Sequence, residues 1–146
     1  LVREIGRAGV DAIDISGSEK PGDPMRANID KPEEQSYYLR YAEALDVGTP
    51  VILGCGNRNV DLLEGILNRT KSRVDFFNFA RPLIREPDLP NRWLEGRGEA
   101  GAQCTNSSLC FRRLTQTGEP IRCVVLEQMQ KAEREWLEAE FSPYGA

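Results

Sequence analysis

Residues 49–57 read TPVILGCGN, an apolar run that ends in two glycines, a cysteine and an asparagine. Val51, Ile52 and Leu53 are the kind of continuous apolar segment that forms a strand buried on both faces. Gly54 and Gly56 then permit a tight turn. The stretch therefore predicts a buried strand over 49–53 and a close loop after it.

The same unit recurs on both sides of this stretch. Strands are predicted where apolar and β-branched residues cluster, and helices where apolar residues recur at helical spacing. The predicted order is helix 1–9, strand 10–16, helix 33–47, strand 49–53, helix 60–69 and strand 74–79. The alternation of helix and strand is typical of parallel β/α units, so we predict an α/β fold.

The third strand, with Val74, Phe76, Phe77 and Phe79, is predicted to be buried on both faces. In the helix over 33–47, the tyrosines are expected to face the core and to have packing roles. These are Tyr37, Tyr38 and Tyr41.

The remaining segments are predicted as loops, except for the last. Residues 20–32 are expected to form an irregular surface loop, and Pro87 and Pro90 break the chain within 83–93. The Gly-rich segment 96–103 is predicted to be a mobile loop.

A charged helix is predicted over 124–141. Its apolar side holds Leu126, Met129, Trp136 and Leu137, and it is expected to pack on the domain or on a partner through Trp136. Ion pairs are predicted at i,i+4 among Glu127, Lys131 and Glu135.

Composition excludes several classes of function. The 146 residues carry a net charge of −4, which provides no broad basic field for nucleic acid. No apolar run reaches the roughly 18 residues that span a bilayer, so no membrane association is expected and a cytoplasmic location is predicted. The chain has 0 histidines, which excludes His-based triads and His metal sites within it.

Two loops that follow predicted strands favour a small anion. Cys55, Gly56 and Asn57 follow the second strand and offer backbone N–H groups, while Ala80 and Arg81 follow the third. Loops at the carboxyl ends of neighbouring parallel strands lie side by side, so Arg81 would supply positive charge beside these N–H groups. The alternative is that Gly56 is a turn glycine and Arg81 a surface salt-bridge partner.

Four segments together resemble a known family. They are GVDAIDISG at 9–17, TPVILGCGN at 49–57, VDFFNFARPLIREPDLPNRWLEG at 74–96 and CTNSSLC at 104–110. They are similar to the C-terminal part of the Old Yellow Enzyme family, the NADH:flavin oxidoreductases, in the branch like 2,4-dienoyl-CoA reductase. The resemblance covers about residues 1–123, which predicts a barrel segment there and a C-terminal helical extension over 124–146.

The resemblance implies a partial (β/α)₈ TIM barrel, in which this chain supplies the last three β/α units, plus the C-terminal helix. It implies FMN as cofactor, NAD(P)H as reductant and an activated alkene as acceptor. Gly56 and Asn57 fall where the family's strand-seven loop binds the FMN phosphate, and Arg81 on the arginine after strand eight. Cys55 and Ala80 stand where the family has glycine, and a Cβ there is expected to narrow the site or to demand φ below zero.

The late cysteines resemble a family motif with one position changed. Cys104, Ser107, Cys110 and Cys123 match the four-cysteine run that ligates a [4Fe–4S] cluster, with serine at the second position. Serine is a hard, high-pKa substitute for thiolate. We predict free thiols and no metal.

The resemblance assigns no catalytic residue to this chain, because the family's catalytic groups come from earlier strands. The chain begins at Leu1 within a predicted helix, as expected of a piece of a longer protein. Three hypotheses stay open: an FMN-dependent oxidoreductase or a piece of one; a non-catalytic truncated barrel that binds a second copy or a complementing chain through exposed sheet edges; and a metal or redox module built on Cys104, Cys110 and Cys123.

Overall fold

The computed structural model describes residues 2–17, 26–27, 29, 31–69 and 73–140. The chain divides into two compact units, Leu1–Ser107 and Ser108–Ala146. The first unit holds a parallel sheet and its helices, and the second holds two helices. The end of the family resemblance near residue 123 stays a prediction. The predicted loop over 20–32 falls largely outside the described residues.

A three-stranded parallel sheet organises the first unit. Its strands are β1 (Ile13–Ile15), β2 (Val51–Leu53) and β3 (Phe76–Phe77), and they lie in the order β1-β2-β3. Both pairings are parallel, with Ile13 opposite Val51 and Leu53 opposite Phe77. The carboxyl ends of all three strands therefore meet at one edge. A closed eight-stranded barrel is not tested by three strands and stays a prediction.

The third strand is less buried than its sequence indicates. Phe76 is 58% exposed, so the prediction of burial on both faces is wrong for this residue. The physical reason is position, because β3 is an edge strand of the sheet that the described residues form. The central strand is the one fully covered: Val51 and Leu53 are 1% and 0% exposed.

The helices of the first unit are short. They are α1 (Val2–Arg7), α2 (Leu39–Glu43), α3 (Val60–Leu67), α4 (Arg81–Arg85) and α5 (Leu89–Leu94), with a 3₁₀ turn at Pro32–Glu34.

Helix α3 confirms the helix predicted after the second strand. The Asn59 side chain caps it by accepting a hydrogen bond from the backbone N–H of Leu62 at 3.1 Å. Leu63 and Ile66 face the sheet and join Ala42, Val51, Leu53 and Val74 in the buried core.

The single helix predicted over 33–47 is wrong. The chain forms the 3₁₀ turn, then becomes extended at Gln35, where ψ is 162°, and left-handed at Ser36, where φ is 46°, and only α2 follows. Ser36 is drawn onto the loop after β2, because its N–H donates to the Gly56 carbonyl at 3.3 Å. Tyr41 is 47% exposed, so its predicted core position is also wrong, whereas Tyr38 packs against the core.

Helices α4 and α5 occupy a segment predicted to be broken by proline. Pro82 and Pro90 lie in the first turns of these helices, where the missing N–H costs nothing. The Gly-rich segment after α5 is a loop, as predicted, and its mobility stays a prediction. The Arg92 side chain holds it by donating to the carbonyls of Arg97, Glu99 and Gly101.

The second unit contains α6 (Leu109–Thr117) and α7 (Val124–Glu140). Lys131 and Glu135 form the predicted i,i+4 pair at 3.6 Å, whereas Glu127 pairs with Arg113 and Arg122. Met129 and Trp136 are 57% and 58% exposed, and the predicted docking through Trp136 stays a prediction. Among the described helices, none combines the length and the apolar character needed to cross a bilayer.

Gly54 is the position where the sheet tolerates no side chain. A Cβ there would lie 2.8 Å from the Ser16 Cβ and 2.9 Å from the Asn78 Nδ2. We therefore expect Gly54→Ala to lower the free energy of unfolding by about 1–3 kcal/mol, measured by urea denaturation. The matched control is Gly65→Ala inside α3, where a Cβ meets nothing within 4 Å. It should raise stability by about 1 kcal/mol, and equal effects of the two variants would contradict this packing.

Candidate anion-binding site

A cavity of about 320 Å³ lies at the carboxyl edge of the sheet. The segments that follow the three strands line it, together with Asn106 from a later loop. All five residues predicted from the sequence contribute to its wall, namely Cys55, Gly56, Asn57, Ala80 and Arg81. The structure therefore brings the two predicted loops together in one place.

The loop after β2 offers backbone donors. Among the described residues, no hydrogen bond uses the backbone N–H groups of Cys55, Gly56 or Asn57. N–H groups of this kind must be satisfied by water or by a ligand. The loop therefore has the donor pattern of an oxyanion site.

The Asn57 side chain has a structural role that the sequence did not indicate. Asn57 is 4% exposed, and its Nδ2 donates to the carbonyl of Leu53 at 2.6 Å and to that of Asn78 at 3.1 Å. Its Oδ1 accepts from the Ser36 hydroxyl at 2.8 Å. Both N–H groups and one of the two lone pairs of Oδ1 are therefore used. This side chain shapes the cavity and leaves ligand binding to the backbone.

Cys55 and Gly56 both adopt left-handed backbone conformations, with φ of 68° and 81°. The expectation that a Cβ would force φ below zero is therefore wrong for Cys55. The turn imposes positive φ on this residue, and its strain is compensated elsewhere in the fold. Ala80 has φ of −122°, as any residue can adopt.

Gly56 is required for space as well as for conformation. A Cβ on it would lie 2.9 Å from Cδ1 of Tyr37 and 3.0 Å from the backbone nitrogen of Ser36. This close approach keeps the loop backbone, with its N–H groups, against the chain that leads into α2.

Arg81 is a buried arginine at the first position of α4. It is 7% exposed, which excludes the alternative of a surface salt bridge. Its Nη1 donates to the Asn106 carbonyl at 3.4 Å and its Nη2 to the Arg26 carbonyl at 3.0 Å. These bonds hold the guanidinium in the wall of the cavity.

Tyr37 lies behind the Cys55 loop. Burial raises the pKa of its phenol well above the usual value, and the neighbouring Cys55 thiol raises it further. The phenol is therefore protonated at neutral pH, and it places no negative charge beside the cavity. The Arg26 guanidinium stacks over its ring, 4.8 Å from the centroid.

Asn78 and Asn106 are among the cavity residues that sequence reasoning missed. The Asn78 side chain donates to the Asp14 carboxylate across the top of Gly54, and its carbonyl accepts from Asn57. An asparagine directly after an apolar strand was a usable signal, since Asn57 follows β2 in a similar way. Asn106 is 3% exposed, and no local pattern around it predicts a place in the cavity.

Among the described residues, the four cysteines form no disulfide, and each is partly buried. Within the ranges that the structure describes, no three Cys, Asp or Glu side chains lie close enough to hold a metal ion. Cys104 belongs to the first unit, and Cys110 and Cys123 belong to the second.

The chain has a reductase-like relative. It is 31% identical over 121 residues to a protein named metal reductase from Desulforamulus reducens, and the match covers 82% of this chain. The chain spans only 18% of the length of that relative. No protein-family model and no solved structure matches the chain.

Strain at Cys55 can be measured by a pair of substitutions. Cys55→Gly and Cys55→Ala both remove the thiol and its contact with the Gly17 carbonyl at 3.6 Å, but only glycine relieves the positive φ. We expect Cys55→Gly to be about 1 kcal/mol more stable than Cys55→Ala in urea denaturation. Equal stability of the two variants would show that the left-handed turn carries no strain.

Proposed function

We propose that this chain provides the phosphate-binding part of an FMN-dependent NAD(P)H oxidoreductase. The observation that carries the proposal is the meeting of the Cys55–Asn57 loop with buried Arg81 in one cavity at the carboxyl edge of the sheet. The reductase-like relative supports the oxidoreductase class, and the family resemblance supports FMN.

The residues present fit a terminal phosphate. A phosphate monoester carries about −1.5 to −2 charges at neutral pH and has three acceptor oxygens. Backbone N–H groups of Gly56 and Asn57 would donate to two of these, and the Arg81 guanidinium would provide the opposite charge. Gly56 leaves the loop backbone free of a Cβ that could displace the ligand.

The parallel order β1-β2-β3 also supports the larger architecture that we propose. In a (β/α)₈ barrel the three strands would be the sixth, seventh and eighth, and phosphate sites in such barrels commonly use the loops after strands seven and eight. β1 and β3 would then pair with the strands that complete the barrel.

FMN, when bound, accepts a hydride from NAD(P)H and passes the reducing equivalents to an acceptor. The residues of this chain hold the phosphate and orient the cofactor by that end. The resemblance favours an activated alkene as acceptor, and the name of the relative introduces a metal ion as a second class of acceptor. Steady-state assays of NAD(P)H oxidation, with an activated alkene or a metal ion as acceptor, distinguish an alkene reductase from a metal reductase.

The phosphate site is tested by comparing FMN with riboflavin, which lacks the phosphate. We expect the chain to bind FMN more tightly than riboflavin. Arg81→Ala should lower the affinity for FMN by about 100-fold, since a charge-assisted hydrogen bond contributes about 1.5–3 kcal/mol. Flavin fluorescence titration measures both affinities. Riboflavin affinity should not change in Arg81→Ala.

The matched control is Arg3→Ala, which removes an exposed arginine paired with Asp46 at 3.3 Å. It should leave FMN affinity unchanged. Equal affinity of the unmodified chain for FMN and riboflavin would contradict the proposed phosphate site.

A second candidate function is a non-catalytic binding module, and the exposure of the edge strand favours it. Phe76 on β3 is 58% exposed, and an exposed apolar edge invites pairing with a second copy or a complementing chain. In this alternative the anion pocket persists without flavin chemistry.

Light scattering tests this second candidate. Phe76→Lys should shift a dimer of the chain toward monomer, because a charge on an edge strand opposes strand pairing. Leu94→Lys is the control, since Leu94 is 85% exposed and belongs to helix α5, so it takes no part in strand pairing. A chain that is monomeric without any substitution would argue against self-pairing.

A further inference from the structure

Asn106 brings a buried hydrogen-bond donor to the wall of the anion cavity. The residue is 3% exposed, and among the described residues its Nδ2 atom has no hydrogen-bond partner. Leaving such a donor unsatisfied is unfavourable, because its hydrogen bond to water is lost and not replaced. Native structures rarely keep a cost of this kind without a use for the group.

The Cys104 thiol fixes the direction of the Asn106 amide. The thiol lies 3.9 Å from Oδ1, to which it donates, while its sulfur accepts from the Asn106 backbone N–H at 3.4 Å. The oxygen end of the amide is thereby occupied by Cys104. The NH₂ end is left as the group with capacity to donate to a ligand.

Asn106 and Arg81 form one wall of the cavity. The backbone carbonyl of Asn106 accepts a hydrogen bond from Arg81 Nη1 at 3.4 Å, which places residue 106 next to the cationic guanidinium. Both residues line the same cavity as the β2 loop that carries the N–H groups. A ligand with several acceptor oxygens is needed to use all of these donors, and a phosphoryl group has three.

We propose that Asn106 is a further anion-binding residue, and that its Nδ2 donates to an oxygen of a phosphoryl group held by Arg81 and the Gly56–Asn57 backbone. This inference rests on the proposed function, since it concerns the same cavity. It adds a third element, from a loop far along the chain, to the two that follow β2 and β3.

The test replaces the donor without disturbing the backbone. Asn106 has φ of 52°, a conformation that aspartate tolerates nearly as well as asparagine. Asn106→Asp keeps the oxygen that Cys104 contacts and converts the NH₂ group to an anionic oxygen. Asn68→Asp is the matched control, because it makes the same change in charge at an exposed residue at the end of α3.

Affinity for inorganic phosphate and for FMN is measured by calorimetric titration of the full chain. We expect Asn106→Asp to weaken both by about 10- to 100-fold, since it removes a donor to an anion and adds repulsion. Asn68→Asp should bind both ligands like the unmodified chain. Unchanged affinity in Asn106→Asp would overturn the role of Asn106 and leave the phosphate site itself intact.

Two further outcomes are distinct. If the unmodified chain binds neither inorganic phosphate nor the phosphate of FMN, then the proposed function and this inference both fail. If Asn106→Asp does not fold, the side-chain amide resonance of Asn106 in the unmodified chain decides the matter. It should shift on titration with inorganic phosphate, and a resonance that does not move would overturn the proposal.

Discussion

The carboxyl edge of the sheet depends on the hydrogen bonds of one buried amide, that of Asn57. This side chain connects the end of β2, the segment after β3 and Ser36 before α2. Burying an amide is costly unless its polar atoms are paired, and for Asn57 the two neighbouring strand ends and the turn before α2 provide the partners. The positions of the Gly56 and Asn57 N–H groups relative to Arg81 follow from this set of bonds.

Close backbone contact supports the same edge. Gly54 passes beneath the hydrogen bond between Asp14 and Asn78, so the ends of β1 and β3 are linked directly over β2. The hydrogen bonds of Asn57 and the bond between Asp14 and Asn78 together connect the ends of the three strands. They do so although each strand has at most 3 residues. Short strands therefore suffice, because side chains supply the connections that longer ladders would otherwise give.

Sequence reasoning succeeded where local pattern decides structure and failed where a distant contact does. The apolar run around Val51 and the amphipathic spacing of α3 identify their elements without outside information. The interruption at Ser36 could not be read locally, since it arises from bonds to Gly56 and Asn57, about 20 residues away. Proline is ambiguous in the same sense, because a proline breaks a helix in its interior, whereas Pro90 is well placed in the first turn of α5.

For the site, the loops after β2 and β3 were predictable from the geometry of parallel sheets. Asn106 was not, because it lies 25 residues beyond Arg81 and only the fold brings the two together.

The three hydrogen bonds of the Asn57 side chain have a consequence for the rate of ligand binding. A pocket whose walls are already tied together does not need to rearrange when a ligand arrives, so little ordering entropy is lost on binding. For the anion site that we propose, the rate of capture would then be close to the rate of diffusional encounter, and differences in affinity between ligands would reside in their rates of dissociation.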